Sequence, residues 1–395
     1  MASRDPRWVL KDRPSTTLII GLVVTGICAL ISFSFDVFNG EPVQFFIALT
    51  LALAPVPLLL AAVLALDRME PEPRSNLVFA FAWGAGIAVL VAGVINSLNL
   101  HYFMDTVKLS QDSARNVAAT FGAPVVEETM KGLVLLGLLR FRRAELDGPT
   151  DGVIYASMVG LGFAMSENVS YYLAALSTSG VKGLAVTVVL RGILSPLAHP
   201  LFSSMIGIAV AYAAQRGSER VFLILAGWAG AMTLHGLWNG LASYGGFPGL
   251  VVAYLTLLVV LIVLIGVVFR DRRRIVALIQ RYLPAYEPTK LVNEADIYML
   301  SAFSRRRQAR QWAKAYGGKR GLRAMADYQL AATELGLLHE RAARHMVDEQ
   351  TFHEEQRALL ECMSTARGQF PVPAAHARSV AEGTPPPGYA PGAPG

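Results

Sequence analysis

Charge is scarce in this 395-residue sequence, where Asp, Glu, Lys and Arg make up 16% against roughly 25% in ordinary soluble domains. A chain that must wet its whole surface is thereby excluded. Cysteine is scarcer still: Cys28 and Cys362 are the only two, too few for a disulfide framework and without CxxC or zinc-ribbon spacing. What charge there is falls unevenly. Met1 to Phe269 carries 16 basic and 16 acidic residues, whereas the shorter Arg270 to Gly395 carries 19 and 13 and with them the whole +6. A long, apolar, neutral part followed by a charged one predicts a membrane domain joined to a water-exposed region.

With 53% of the residues hydrophobic, the apolar stretches are long. Eight of them, at about 16–35, 43–66, 77–98, 115–140, 152–176, 183–214, 221–242 and 248–270, reach the about 20 helical residues that hydrocarbon requires. The expected fold is all-α, a polytopic bundle of about eight spans over residues 1–270. Arg4, Arg7, Lys11 and Arg13 precede the first stretch, which is too long for a secretory h-region and has no A-x-A site after it, so it reads as a retained helix. The sixth stretch contains Pro196 and Pro200, which predicts a kink or break there. Basic residues set orientation. With the N-terminus inside, fifteen of them, including Arg68, Arg74, Arg140, Arg216 and Arg270, fall on the cytoplasmic side, against Lys108, Arg115 and Lys182 opposite. Both termini are expected in the cytoplasm of a multi-pass plasma-membrane protein.

From residue 271 to 370 the sequence reads as a small helical cytosolic region. Met325, Leu330, Leu337, Leu338, Met346, Leu359 and Leu360 are spaced for an amphipathic face. Residues 270–323 hold 14 basic and 4 acidic groups, which suits anionic lipid headgroups; a solvated helix face is the plain alternative. Residues 371–395 contain seven prolines with Gly and Ala and read as a disordered tail. Nothing points to a nucleic-acid partner.

Ionisable residues inside the apolar stretches cost roughly 2.5–3.5 kcal/mol each at mid-membrane and so mark function. Glu127, Glu128 and Lys131 lie in the fourth stretch, Glu167 and Asn168 in the fifth, His199 and Ser203 in the sixth, His235 and Asn239 in the seventh. Measured from the ends of its own stretch, each group falls near one depth, although the spans alternate in direction. Lys131 is read as the only internal cation, so there are more acids and bases than ion pairing explains. Glu127 with Lys131, His199 with Ser203 and His235 with Asn239 share faces at i,i+4. Gly236 and Gly240 make a small-xxx-small pair that reads as helix packing.

Glutamate and histidine in a dry site suit the activation of water, a carboxylate taking its proton while imidazole or a metal stabilises the oxyanion. Two His with one or two Glu would complete a three-ligand zinc site with an open position. Other hydrolase patterns are missing. His339-Glu340 is followed by histidine only at 345, too far for HExxH, and neither GxGD nor a GxSx motif paired with a downstream helical histidine occurs.

Glu127-Glu128-Thr129-Met130-Lys131, Phe163-Ala164-Met165-Ser166-Glu167-Asn168, His199-Pro200-Leu201-Phe202-Ser203 and His235-Gly236-Leu237-Trp238-Asn239, in this order, resemble the motifs of the PrsW family of intramembrane proteases over about residues 50–245. That family is more distantly similar to the CAAX prenyl endopeptidases and the bacterial CPBP proteins. The resemblance implies a membrane-embedded metalloprotease acting on a membrane-protein substrate, its best-known member cleaving an anti-sigma factor. It implies catalytic roles for Glu127 as base, Glu128 as its partner, and His199, His235 and Asn239, with Lys131, Glu167, Asn168 and Ser203 in support. Zinc would draw on His199, His235, Glu128 and Glu167; a metal-free glutamate mechanism, as argued for the prenyl endopeptidases, is the alternative. The same buried groups also suit a proton-coupled transporter or channel, against which no internal repeat with paired broken helices stands out. A non-catalytic membrane scaffold is the third reading.

Overall fold

The computed structural model describes residues 15–370 apart from 40, 67–68, 70 and 216–219. The basic residues 4, 7, 11, 13, 68 and 216 and the proline-rich segment 371–395 lie outside the described residues. Among those described the chain is helical throughout, with no strand, as the hydrocarbon interior demands: every backbone N–H and C=O must there be paired within the segment. The chain divides into two compact units, one ending at Asp271 and the other beginning at Arg272.

The first unit runs α1 (Thr16–Asn39), α2 (Pro42–Leu53), α3 (Val56–Leu66), α4 (Arg74–Trp83), α5 (Val89–Asp105), α6 (Gln111–Val117), α7 (Ala123–Phe141), α8 (Pro149–Thr187), α9 (Ala198–Ala214), α10 (Arg220–Tyr244) and α11 (Gly246–Tyr282), the last continuing into the second unit. Among the described residues six helical runs are long and apolar enough to cross a membrane: Thr16–Phe38, Pro42–Leu66, Arg74–Asp105, Pro149–Ala214, Arg220–Tyr244 and Gly246–Thr289. The chain is thus a multi-pass membrane protein. The expected fourth stretch is helical too, but Glu127, Glu128 and Lys131 break its apolar window, and the fifth and sixth fall within the one run Pro149–Ala214.

Proline and glycine place the breaks. Pro55 separates α2 from α3, and Pro149 opens α8 at a position where its missing N–H costs nothing. Gly180, at φ 63°, kinks α8, a conformation cheap only for glycine. The expected break near Pro196 falls at Ser195–Leu197, where helical dihedrals lapse before α9 starts. Among the described residues three π-helical segments, Gly84–Ala88, Ala118–Gly122 and Val188–Leu194, interrupt the α-helical register; such bulges recur at functional sites.

The first half of α8 is the axis of the bundle. Every residue from Pro149 to Ser166 is buried, so this helix is enclosed by neighbours on all sides. Small residues allow that enclosure: a Cβ on Gly162 would overlap the Phe81 carbonyl oxygen, and one on Gly152 the Gly207 carbonyl oxygen. Leu135, Ile154, Val159, Leu161, Ile206 and Val210 fill the core between α7, α8 and α9. Gly236 on α10 likewise lies against the Thr120 carbonyl, in keeping with its reading as packing.

The second unit contains a 3₁₀ segment (Leu283–Thr289), α12 (Glu294–Leu300), α13 (Phe303–Ala343), broken at Gly318, and α14 (Glu349–Arg367). Asn293 and Asp348 cap α12 and α14 by accepting backbone N–H bonds from Asp296 and Thr351. Of the expected amphipathic positions, Met325, Leu337, Leu338 and Leu359 are buried, while Leu330, Met346 and Leu360 are half-buried. His339, the histidine of the failed HExxH match, stacks on Tyr282 at 4.9 Å and accepts a 2.6 Å bond from the Tyr286 hydroxyl. It serves packing.

Candidate active site

Four helices of the first unit each contribute to one polar cluster in the apolar bundle. On α7, Glu127, Glu128 and Lys131 share a face, and all three are buried. The Lys131 ammonium donates to Glu128 Oε1 at 2.8 Å and to Glu127 Oε2 at 3.5 Å, then reaches across to His199 Nδ1 on α9 at 2.8 Å. Phe163 of α8 places its ring 4.0 Å from the same nitrogen. A lysine with no solvent exposure thus has every donor satisfied and a π face beneath it.

Each imidazole is oriented by a carboxylate. His235 Nδ1 donates to Glu128 Oε1 at 3.0 Å, leaving Nε2 3.9 Å from Glu127 Oε2. Glu128 is held on its other oxygen by the Ser203 hydroxyl at 2.8 Å. His199 Nε2 donates to Glu167 Oε2 at 3.1 Å, and Glu167 is paired in turn with Arg191. Phe202 stacks on His235 with ring centres 4.7 Å apart, and the two imidazoles meet edge to face at 5.3 Å. This carboxylate–imidazole pairing is the kind that fixes tautomer and ring orientation at working histidines.

Glu127 is buried yet reaches open space at one side. It lines a cavity of about 360 Å³ together with Glu167, Arg191, His199, His235 and Asn239. Asn239 spends its Nδ2 on the Ala119 carbonyl at 2.8 Å, tying α10 to the π-helical turn at the cavity wall. Asn168 stands back from the cavity and accepts from Arg191 Nε at 2.8 Å. All nine candidate residues therefore belong to one contiguous cluster or to its immediate supports.

Two participants were not expected. Lys131 is not the only internal cation: Arg191, in the π segment Val188–Leu194, pairs with Glu167, bonds Asn168 and lies over the Tyr171 ring at 3.7 Å. A charge nine residues into the expected sixth stretch was the signal for it. Asn96 of α5 donates from Nδ2 to Glu127 Oε1 at 3.2 Å; a neutral amide close to Ser97 and Asn99 gives no such signal.

The donor set fits a metal. Glu127, His199 and His235 each bring one ligand atom within 4.8 Å of the other two, and one carboxylate with two imidazoles is a zinc set with a fourth position open. Glu128 and Glu167, the carboxylates expected in that role, are instead occupied by the contacts above. Three carboxylates stand beside the cations Lys131 and Arg191, and Arg115 also lines the cavity. His199 is engaged at both nitrogens, so ligation would exchange one of those contacts.

Carboxylates and imidazoles gathered around a cavity, inside a bundle whose other helices are long and apolar enough to cross a bilayer, are the groups a membrane-embedded hydrolase uses. Comparison with known proteins is specific about which: residues 72–267 match the family described as PrsW family intramembrane metalloprotease, and the chain belongs to that family. Protease PrsW of Geobacillus kaustophilus (strain HTA426) is 28% identical over 198 residues, covering 50% of this chain and 80% of the relative. Protease PrsW of Oceanobacillus iheyensis is 24% identical over 53% of this chain and 90% of its own length. For Protease PrsW of Clostridioides difficile (strain 630) the identity is 25%, over 45% and 71%. No solved structure matches the chain. The matched region begins later than the resemblance read from the motifs and extends through most of α11.

Proposed function

We propose that the cavity bounded by Glu127, His199, His235 and Asn239 hydrolyses a peptide bond of a membrane-protein substrate. One observation carries this reading: Glu127 lines the cavity with Oε2 3.9 Å from the Nε2 of His235, whose Nδ1 is fixed by Glu128, whereas Glu167, the other carboxylate lining the cavity, is taken up by Arg191 and His199. Glu127 takes the proton of an attacking water, which His199 helps to hold by exchanging one of its contacts with Lys131 or Glu167. His235, protonated at Nε2 as well as at Nδ1, and the second N–H of the Asn239 amide, one turn apart on α10, stabilise the carbonyl oxygen as it gains charge. Glu127 then returns the proton to the leaving amine. Glu128, itself held by Lys131 and Ser203, orients His235; Lys131 and Glu167 hold His199, with Arg191 bridging Glu167 and Asn168 behind it.

Glu127, His199 and His235 are also the residues that would hold zinc. Zinc would polarise the scissile carbonyl and lower the pKa of water. The substrate is proposed to be a single-span protein of the anti-sigma-factor kind, from the implied role of the family. Residues 1–270 form the protease domain of a plasma-membrane protein with both termini cytoplasmic, which terminal reporter fusions would check. The basic segment 270–323 rests on anionic headgroups, which co-flotation with anionic and neutral vesicles would check.

The test is cleavage of a candidate single-span substrate in proteoliposomes. Glu127→Gln and His235→Ala should each lose on the order of 10²–10⁴ in rate, and either variant cleaving at the wild-type rate sinks the assignment. Elemental analysis of the same preparations separates the two mechanisms: about one zinc per chain, lost in His235→Ala, supports the metal site, and its absence from active protein supports the bare glutamate.

A further inference from the structure

Among the described residues, every polar group that touches Glu127, Glu128 and the two histidines comes from one of the four motifs, except one. Asn96 lies on α5, more than thirty residues before Glu127, and its Nδ2 donates to Glu127 Oε1 at 3.2 Å. Its other amide atom, Oδ1, is buried with no hydrogen-bond partner. The carboxylate can only accept, so it dictates which end of the amide faces it and leaves Oδ1 turned away. Asn96 also lines the catalytic cavity, as does Leu100 one turn further along the same face of α5.

A buried acceptor beside a catalytic cavity needs a donor. The substrate brings one. Inside a membrane a spanning segment keeps all its N–H groups in helical bonds, and cleavage requires that a turn be opened around the scissile bond. Opening frees backbone N–H groups where no water competes for them, and each then needs an acceptor. The oxygens of Glu128 are engaged by Lys131, His235 and Ser203, and Glu167 Oε2 by Arg191 and His199.

We infer that Asn96 is a substrate-positioning residue, whose Oδ1 accepts a backbone N–H of the unwound substrate while its Nδ2 holds the Glu127 carboxylate. One amide then couples the seating of the peptide to the aim of the base. This rests on the catalytic reading of Glu127 above.

The test is steady-state cleavage in proteoliposomes by the full-length Asn96→Ala and Asn96→Asp proteins, with substrate binding measured separately in the Glu127→Gln background. Alanine removes both contacts, so KM should rise about fivefold, the usual worth of one hydrogen bond, and kcat should fall. Aspartate keeps the acceptor and loses the donor, so KM should stay within about twofold of wild type while kcat falls at least tenfold. Binding to the Glu127→Gln protein should weaken about fivefold with Asn96→Ala and hold with Asn96→Asp. Unchanged KM and binding in Asn96→Ala overturn the inference, as does an equal rise of KM in both variants, which marks mere distortion of α5. Failure of the underlying reading looks different: Glu127→Gln would itself cleave like the wild type.

Discussion

Arg191 shows how a buried charge is made tolerable and useful at once. Its guanidinium meets Glu167 and Asn168 and lies over the Tyr171 ring, so both ends of its fork and its flat face are in use. Glu167 in turn is the partner of His199 Nε2. Removing the cation would leave a largely buried carboxylate without its counter-ion, and the imidazole would lose its fixed orientation. Arg191→Gln should therefore lower kcat by at least tenfold with little change in KM, because the effect runs through His199. Arg191→Lys should recover only part of the loss, since an ammonium cannot bridge Glu167 and Asn168 as a planar fork does. Cleavage rates for both variants beside thermal melting curves check this, and wild-type kcat in Arg191→Gln would refute it. Glu127, Glu128, Glu167, His199 and His235 were legible in the sequence because an ionisable group stands out in an apolar stretch. Asn96 was not, because a neutral amide is ordinary in a membrane helix until a carboxylate is seen beside it.

At the scale of elements, the π segments carry what sequence periodicity hides. An extra residue per turn at Ala118–Gly122 and Val188–Leu194 rotates the next stretch of chain relative to an ideal helix. Arg191 sits within the second of these, and the Asn239 amide satisfies a carbonyl of the first. The proline break before α9 was readable; these rotations were not. In the second unit, packing of α13 and α14 around His339 has a pH consequence. Burial lowers the His339 pKa from its ordinary value near 6.5, and the Tyr286 hydroxyl donates to the unprotonated Nε2. The unfolded chain then binds the proton more readily than the folded one, so stability falls as pH drops below about 6.5. Amide exchange in α13 and α14 of the full chain should be faster at pH 5.5 than at 7.5 beyond the intrinsic pH effect, and His339→Phe should flatten the difference. Equal protection at both pH values would contradict it.

Over the whole molecule, the catalytic apparatus and the charge imbalance belong to different parts. Every residue assigned to the site lies between Asn96 and Asn239, inside the unit that ends at Asp271, and the family match ends at residue 267. The excess positive charge begins at Arg270. Deleting residues 275–395 should accordingly leave cleavage of a membrane-embedded substrate within about threefold of wild type in proteoliposomes. Loss of cleavage by a correctly inserted truncated protein would place part of the mechanism in the second unit.

The sequence by itself determined that the chain crosses a membrane, that it is helical, and which ionisable side chains sit among its apolar residues. Hydrocarbon compels the first two, since it accepts no unpaired backbone, and makes the third conspicuous, since a charge there is costly. Only the tertiary structure decided the partnerships: that Glu128 serves His235 and Glu167 serves His199, that Arg191 and Asn96 lie against these groups, and that Glu127 and Glu167, but not Glu128, line the cavity. Those choices depend on how far each helix is rotated and how closely α7, α8, α9 and α10 approach. Glycine contacts across helices and π-helical turns set that geometry, and neither is expressed in the spacing of residues along any single helix.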